Sequence, residues 1–164
     1  MSLRQHFEDR RTAFGKNLPN DFMLQYGRDY SIGPETFTGP RSEAKACFMN
    51  ATHLALADRR LTYVEGYIAI HGVPLEHAWC VDADGVVVEP TVIDVGQVCG
   101  YYGVALNTEY VRRAVKLNKM YGVLDYFYAG KTAPKLYELG LEEGQRWLLD
   151  QKRAIKRKPR KVVA

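Results

Sequence analysis

The sequence predicts a single α+β domain in which helices pack on a mostly antiparallel sheet. A segment rich in alanine and leucine, residues 44–59, precedes a series of β-branched and aromatic runs between residues 61 and 89. The pattern becomes helical again beyond residue 103. With 164 residues and 46% hydrophobic content, the chain is long enough to bury one core without disulfide bonds.

The first 40 residues are expected to form one short helix and then mostly loop. An amphipathic helix is predicted around Leu3 to Phe14, whereas asparagine, proline and glycine residues punctuate the rest of this arm. Four aromatic side chains indicate that the arm is held against the domain: Phe22, Tyr26, Tyr30 and Phe37.

The next helix and strand have separate local signals. Ser42 can cap a helix ahead of Glu43, and residues 44–59 would continue that helix. Residues 61–70 (LTYVEGYIAI) favour a strand because β-branched and aromatic residues dominate the segment.

A β-hairpin is predicted to follow. Residues 76–82 and 86–89 form the two strands, and Asp82-Ala83-Asp84-Gly85 supplies the tight turn between them. Pro74 precedes the first strand, and Pro90 ends the second because it has no N–H to donate.

Helices are expected to complete the domain. Thr108 can cap a helix over residues 109–120, and residues 141–155 carry apolar residues at helical spacing. We therefore expect one domain over residues 1–151, with its core at about residues 40–104.

The positive charge of the chain is concentrated in a basic tail, residues 152–164. Residues 152–161 hold 7 of the 23 basic residues, which leaves 16 basic against 19 acidic residues elsewhere. This composition favours a flexible, solvated tail. Electrostatic contact with nucleic acid or an anionic surface is the alternative, although the tail lacks aromatic residues for base stacking.

The composition favours a cytoplasmic protein without membrane insertion. The charged start MSLRQHFEDRR lacks the apolar segment of a signal peptide, and no apolar run approaches the roughly 18 residues of a membrane span. Cys47, Cys80 and Cys99 lack Cys-x-x-Cys spacing, which argues against a disulfide framework and a zinc cluster. No phosphate loop or dinucleotide fingerprint occurs, so no cofactor is expected.

Cys47, His77 and Glu89 occur in that order within 43 positions and match the needs of thiol acyl chemistry. A thiolate attacks, an imidazole takes and returns a proton, and a polar group fixes the imidazole tautomer. The hairpin can make His77 and Glu89 cross-strand neighbours, so that the carboxylate would orient Nδ1. Taken singly, the three residues also fit a buried thiol, a core histidine and a solvated strand-end charge.

The reactivity expected of Cys47 depends on where its helix begins. Unpaired backbone N–H groups at a helix N-terminus favour a thiolate. A helix capped by Ser42 would place Cys47 more than a turn inside, beyond most of this effect. A start nearer residues 44–46 would place the thiol where the effect is strong.

Three further residues are candidate supporting groups. Asn50 either donates its amide to an oxyanion or holds the helix to a loop. Glu65 is a charge within an apolar strand, so it lies on a solvated face or serves a site near the helix of Cys47. Trp79 shares a strand face with His77.

A zinc site is the competing interpretation of the hairpin. Its ligands would come from His71, Glu76, His77, Cys80 and Asp82. However, His77 and Cys80 fall on opposite strand faces, whereas a catalytic zinc needs three convergent protein ligands. No metal site is therefore predicted.

Four short motifs together resemble the transglutaminase-like core of the papain-like cysteine enzymes: the helix led by Cys47, YVEGY (63–67), EHAW (76–79) and VVVEPT (86–91). The resemblance covers about residues 40–104 and implies that Cys47 is the nucleophile and His77 the general base. Glu89 would occupy the position of an orienting aspartate, and Lys45-Ala46-Cys47 replaces the family's Gly-x-Cys. The segment also resembles small uncharacterised proteins of bacterial viruses.

This resemblance implies a cysteine-dependent hydrolase or acyltransferase that acts on an amide or ester bond through a Cys47 thioester. The substrate would be a peptide or another amide, with water as acceptor in a protease or amidase and an amine in a transferase. A catalytically inactive papain-like scaffold that binds a protein or nucleic acid is the second hypothesis. Lys45-Ala46 and Glu89 favour that second hypothesis.

Overall fold

The computed structural model describes residues 2–15, 18–33, 43, 45–92, 94–124 and 131–156, with side chains to residue 151. These residues form the predicted α+β arrangement. The helices are α1 (Leu3–Phe14), α2 (Leu18–Tyr26), α3 (Cys47–Ala57), α4 (Thr108–Asn118), α5 (Ala133–Leu139) and α6 (Leu141–Lys156). The strands are β1 (Arg28–Tyr30), β2 (Thr62–Ile70), β3 (Val73–Val81), β4 (Val87–Val88) and β5 (Val98–Leu106).

The five strands form one antiparallel sheet in the order β1-β5-β2-β3-β4. Just past β1, Ser31 forms a parallel bridge with Val86, and its carbonyl accepts a hydrogen bond from the Val87 N–H at 3.0 Å. The sheet therefore curls until its two ends meet. It has an inner face enclosed by the strands and an outer face that carries the helices.

Each face has its own core. Trp79 is fully buried within the curl, where its ring lies 5.7 Å from that of Tyr30 and 5.1 Å from that of Tyr101. On the outer face α3 packs against β3, and the Cys80 thiol donates to the Ala51 carbonyl at 3.3 Å. This contact fixes the helix that carries Cys47 along the strand that carries His77.

The predicted hairpin is confirmed, because β3 and β4 pair antiparallel through Cys80 with Val88 and Val81 with Val87. The first strand begins at Val73 rather than residue 76, so Pro74 lies inside β3. Pro74 is tolerated there because its segment of β3 pairs with β2 alone, so the missing N–H can lie on the unpaired side.

The prediction that residues 17–40 are mostly loop is wrong for much of this arm. Pro19 lies in the first turn of α2, where a missing N–H costs nothing, and Phe22 and Met23 are buried. The short strand β1 then pairs with β5. Phe37 lies outside the described residues.

The C-terminal half also departs from its predicted boundaries. Strand β5 runs on to Leu106, and α4 is capped by Asn107 instead of Thr108. The Asn107 side-chain oxygen accepts the N–H groups of Glu109 and Tyr110 at 3.0 and 3.1 Å. Helix α5 was not predicted, since seven residues are too few for a clear helical period.

Helix α6 extends to Lys156, so residues 152–156 of the expected flexible tail have a helical backbone. Residues 157–164 and the side chains of the whole tail lie outside the described residues. Among the helices of the described ranges, none combines the length and apolar composition that crossing a bilayer demands.

Gly66 allows β2 and β5 to approach closely, which yields a test of the curled sheet. A Cβ at Gly66 would lie 2.3 Å from the Tyr102 carbonyl oxygen, so Gly66→Ala should lower the free energy of unfolding by about 3 kcal/mol. Gly100 in β5 is the matched control because a Cβ there meets nothing within 4 Å. Urea unfolding should show little change for Gly100→Ala; equal losses in the two variants would contradict the described sheet.

Candidate active site

Cys47 is the first residue of α3, and Ala46 is the N-cap, with no side-chain capping bond. The first bond of the helix joins the Asn50 N–H to the Ala46 carbonyl at 2.8 Å. The preceding N–H groups therefore have no partner inside the helix, and their partial positive charge faces the half-buried Cys47 thiol. The expected helix start near residue 44 is wrong by three residues, and Ser42 lies outside the described residues.

The turn into α3 depends on Lys45, which has a φ of 65°. This left-handed conformation is the one that glycine adopts most easily. Lys45 stands at the position of the first glycine in a Gly-x-Cys lead-in. The backbone therefore takes a glycine-like conformation here although a lysine occupies the position.

His77 is buried near the middle of β3, and its Nε2 lies 2.8 Å from Glu89 Oε2. The Trp79 ring is nearly parallel to the imidazole, with ring centroids 6.2 Å apart. The sequence predicted that the carboxylate would orient Nδ1, and the structure corrects this to Nε2. Nδ1 is consequently the ring nitrogen left to face a second group.

Glu89 is a buried carboxylate with four hydrogen-bond partners. Oε2 accepts from His77 and from the Tyr101 hydroxyl, at 2.8 and 3.0 Å. Oε1 accepts from the Thr91 and Val92 N–H groups, at 2.8 and 3.1 Å. Burial raises the pKa of Glu89, but the His77 bond and charge and the two N–H groups outweigh it, and the pKa is lowered. An ionised carboxylate only accepts hydrogen bonds, so Nε2 carries a proton.

The Cys47 side chain lies close enough to His77 to change the pKa of the imidazole. Burial lowers the pKa of the imidazole, but the interactions with Cys47 and then with Glu89 outweigh it and raise that pKa to about 9. The structure thus brings all three residues of the sequence hypothesis into one cluster. A protonated, positively charged imidazole is the form of His77 that this cluster stabilises.

Asn50 joins two segments of the site. Its amide nitrogen donates to the Glu43 carbonyl at 2.7 Å and to the Thr91 hydroxyl at 3.0 Å. Both amide hydrogens are therefore used in holding the start of α3 to the segment after Glu89. Of the two roles considered for Asn50, this is the structural one.

Glu65 is buried on the outer face and anchors the segment after α4. Its carboxylate accepts the Tyr63 hydroxyl at 2.8 Å and the N–H groups of Val123 and Leu124 at 2.7 Å each. The alternative of a solvated position for Glu65 is wrong, since only 3% of the residue is exposed.

Trp79 supports the site from inside the curl. Its indole is fully buried and packs over Gly103, where an added Cβ would lie 2.7 Å from the ring. Indole Nε1 has no hydrogen-bond partner among the described residues. Because it is enclosed, Trp79 acts on His77 through packing.

Tyr101 and Thr91 were not singled out from the sequence. Tyr101 reaches Glu89 because β5 pairs with β2 in the sheet. No local sequence pattern predicts that pairing. Thr91 belongs to the VVVEPT motif, but its bond to Asn50 spans 41 positions. The VVVEPT motif is the one sequence signal that could have identified Thr91 as a residue of the site.

The residues of the competing zinc interpretation do not converge. His77 binds Glu89 within the curl, whereas the Cys80 thiol donates to Ala51 on the helical side. Within the described ranges, no three histidine, cysteine or acidic side chains come together as a metal-binding group.

In comparisons with known proteins, no protein-family model, no curated protein and no solved structure matches the chain.

The coupling of Cys47 to His77 predicts a titration difference. In the wild type the imidazole should titrate near pH 9, and Cys47→Ala should lower that midpoint because a raising interaction is lost. The raised pKa stabilises the fold fully below about pH 6.5, and this stabilisation disappears as the pH rises through about 9. Ring-proton NMR shifts measure the midpoint; an identical midpoint in both proteins would contradict the coupling.

Proposed function

We propose that this chain is a cysteine-dependent hydrolase or acyltransferase that acts on an amide or ester bond through a thioester on Cys47. The observation that carries the proposal is a thiol at the first residue of a helix, acting on an imidazole that an ionised, fully hydrogen-bonded Glu89 holds. Nucleophile, base and orienting group are the three parts that such chemistry requires.

In the first half of the reaction His77 holds the thiol proton and Cys47 Sγ attacks the carbonyl carbon. The carbonyl oxygen gains negative charge, which the N–H groups at the start of α3 that have no partner inside the helix can stabilise. The bond to the leaving amine or alcohol then breaks, and the leaving group takes the proton from His77. The thioester remains on Cys47.

In the second half a water or an amine attacks the thioester carbon. His77 accepts a proton from the attacking group, and the thiolate leaves as the second tetrahedral intermediate collapses. Water yields a carboxylic acid and an amine yields a new amide. Glu89 keeps the imidazole in one orientation throughout, since its Oε2 holds the Nε2 proton.

The papain-like resemblance belongs to this proposal. A helix bearing the thiol at its N-terminus and packed against a curled antiparallel sheet supports it. The three cysteines are free thiols, which supports the cytoplasmic location inferred from composition. The bacterial-virus resemblance adds no activity to the proposal.

The two features that favoured an inactive binding scaffold have local explanations. Lys45 adopts the left-handed conformation that a glycine would supply. The longer side chain of Glu89 reaches His77, Tyr101 and two backbone N–H groups at once. Both observations favour catalysis over the binding alternative.

Site-resolved alkylation tests the nucleophile. With limiting iodoacetamide near pH 7, Cys47 should react at least about tenfold faster than Cys99, although Cys99 is more exposed. Cys80 should stay unmodified, because burial raises the pKa of its thiol to about 12. Peptide mass spectrometry after short exposures measures each site separately.

His77→Ala is the matched variant for this measurement. It should slow the reaction of Cys47 and leave that of Cys99 unchanged, because only Cys47 faces the imidazole. Circular dichroism of the variant checks that the fold survives. Equal alkylation rates of Cys47 in the wild type and in His77→Ala would contradict the proposal.

A further inference from the structure

Tyr101 of β5 shares one oxygen of Glu89 with the imidazole of the site. Its hydroxyl donates to Glu89 Oε2 at 3.0 Å, and His77 Nε2 lies 2.8 Å from the same oxygen. The other oxygen, Oε1, accepts two backbone N–H groups instead. Tyr101 therefore contacts the side of the carboxylate that orients the imidazole.

The surroundings of Tyr101 keep its hydroxyl in this position. The residue lies in the sheet between β1 and β2, where it pairs with Tyr30 and Ile68, and only 1% of it is exposed. Its ring packs against Trp79 with centroids 5.1 Å apart. Burial and the nearby charge of Glu89 raise the pKa of the Tyr101 hydroxyl well above its usual range. The hydroxyl consequently keeps its proton and stays a hydrogen-bond donor.

The ionisable groups that face His77 come from few elements. Cys47 at the start of α3 and Glu89 after β4 both raise the pKa of the imidazole. On β2 the residue paired with His77 is Gly66, which has no side chain. Other ionisable side chains of β2 and β3 alternate onto the outer face and have partners there: Tyr63, Glu65, Tyr67, Glu76 and Cys80. From β5, Tyr101 acts on the imidazole through Glu89.

Two donors on one oxygen share its negative charge. A hydrogen bond from Tyr101 stabilises the ionised carboxylate and weakens the attraction that the carboxylate exerts on a protonated imidazole. This matters in the second half of the proposed reaction, where His77 must be neutral to accept a proton from the attacking water. With one hydrogen bond fewer, Glu89 would hold His77 in its charged form up to a higher pH.

We propose that Tyr101 is a positioning residue that fixes Glu89 Oε2 against His77 and, by sharing that oxygen, leaves the imidazole ready to accept a proton from water. The inference rests on the proposed function and adds a residue that acts on the base through the orienting carboxylate. Tyr101 itself exchanges no proton, because its hydroxyl stays protonated throughout.

Tyr101→Phe removes the hydroxyl and keeps the ring that packs against Trp79. The midpoint of the His77 titration, measured from ring-proton NMR shifts, should rise by about half a pH unit or more, because Oε2 then bonds to His77 alone. This measurement needs no substrate, so it does not depend on turnover.

Tyr102→Phe is the matched control. Tyr102 is the next residue of β5 and is fully buried, but its hydroxyl donates to the Met23 carbonyl at 2.9 Å on the outer face. The variant therefore loses one buried hydrogen bond without changing the partners of Glu89. The midpoint of His77 should equal that of the wild type.

Decay of the acylated enzyme tests the consequence for the reaction. The thioester formed on Cys47 by p-nitrophenyl 3-phenylpropionate is separated from excess ester by rapid desalting, and intact-mass spectrometry follows its hydrolysis. Near pH 7, hydrolysis should be about threefold slower in Tyr101→Phe, since a midpoint half a pH unit higher lowers the neutral fraction of His77 by that factor. The difference should disappear as the pH rises past the midpoint. Alkylation of Cys47 by iodoacetamide should not become slower.

The outcomes separate this inference from the proposed function. An unchanged or lowered His77 midpoint in Tyr101→Phe would overturn the role of Tyr101, and so would an equal rise in Tyr102→Phe. Alkylation and hydrolysis slowed by the same factor at every pH would also overturn it, because a general loss of structure has that effect. A wild type that forms no thioester would overturn the proposed function, while the titration would still decide whether Tyr101 acts on His77 through Glu89.

Discussion

The buried carboxylate of Glu89 is the interaction on which the site depends. A charge taken out of water costs several kcal/mol unless hydrogen bonds replace its hydration. Here the four replacements come from β3, from β5 and from the backbone just after β4. Satisfying this one group therefore requires that β3, β5 and the end of β4 already be in place. The imidazole orientation is a consequence of the curled sheet.

A second set of bonds connects this carboxylate to the thiol. Thr91 gives its backbone N–H to Glu89 and accepts the Asn50 amide through its hydroxyl. Asn50 in turn holds the Glu43 carbonyl, just before the left-handed Lys45. The position of Cys47 and that of His77 are thus set by one connected network, which explains how residues 30 positions apart meet.

The sequence predicted what local patterns control. The Asp82–Gly85 turn and the β-branched segments on either side of it predict the hairpin. The hairpin in turn predicts that His77 and Glu89 lie close together. Pairings between distant segments were missed, because β1 and β5 come together across about 70 positions. The start of α3 was missed for another reason. The start of α3 depends on the positive φ of Lys45, and a lysine in the sequence does not indicate a left-handed conformation.

Detection of an acyl group on Cys47 during turnover of p-nitrophenyl 3-phenylpropionate tests the thioester mechanism most directly. Intact-mass and peptide mass spectrometry should show a thioester on Cys47 that forms as p-nitrophenolate is released and disappears as water attacks. Ester cleavage should be lost in Cys47→Ala and strongly slowed in His77→Ala. Cleavage at the wild-type rate by Cys47→Ala, or acylation confined to Cys99, would contradict the account.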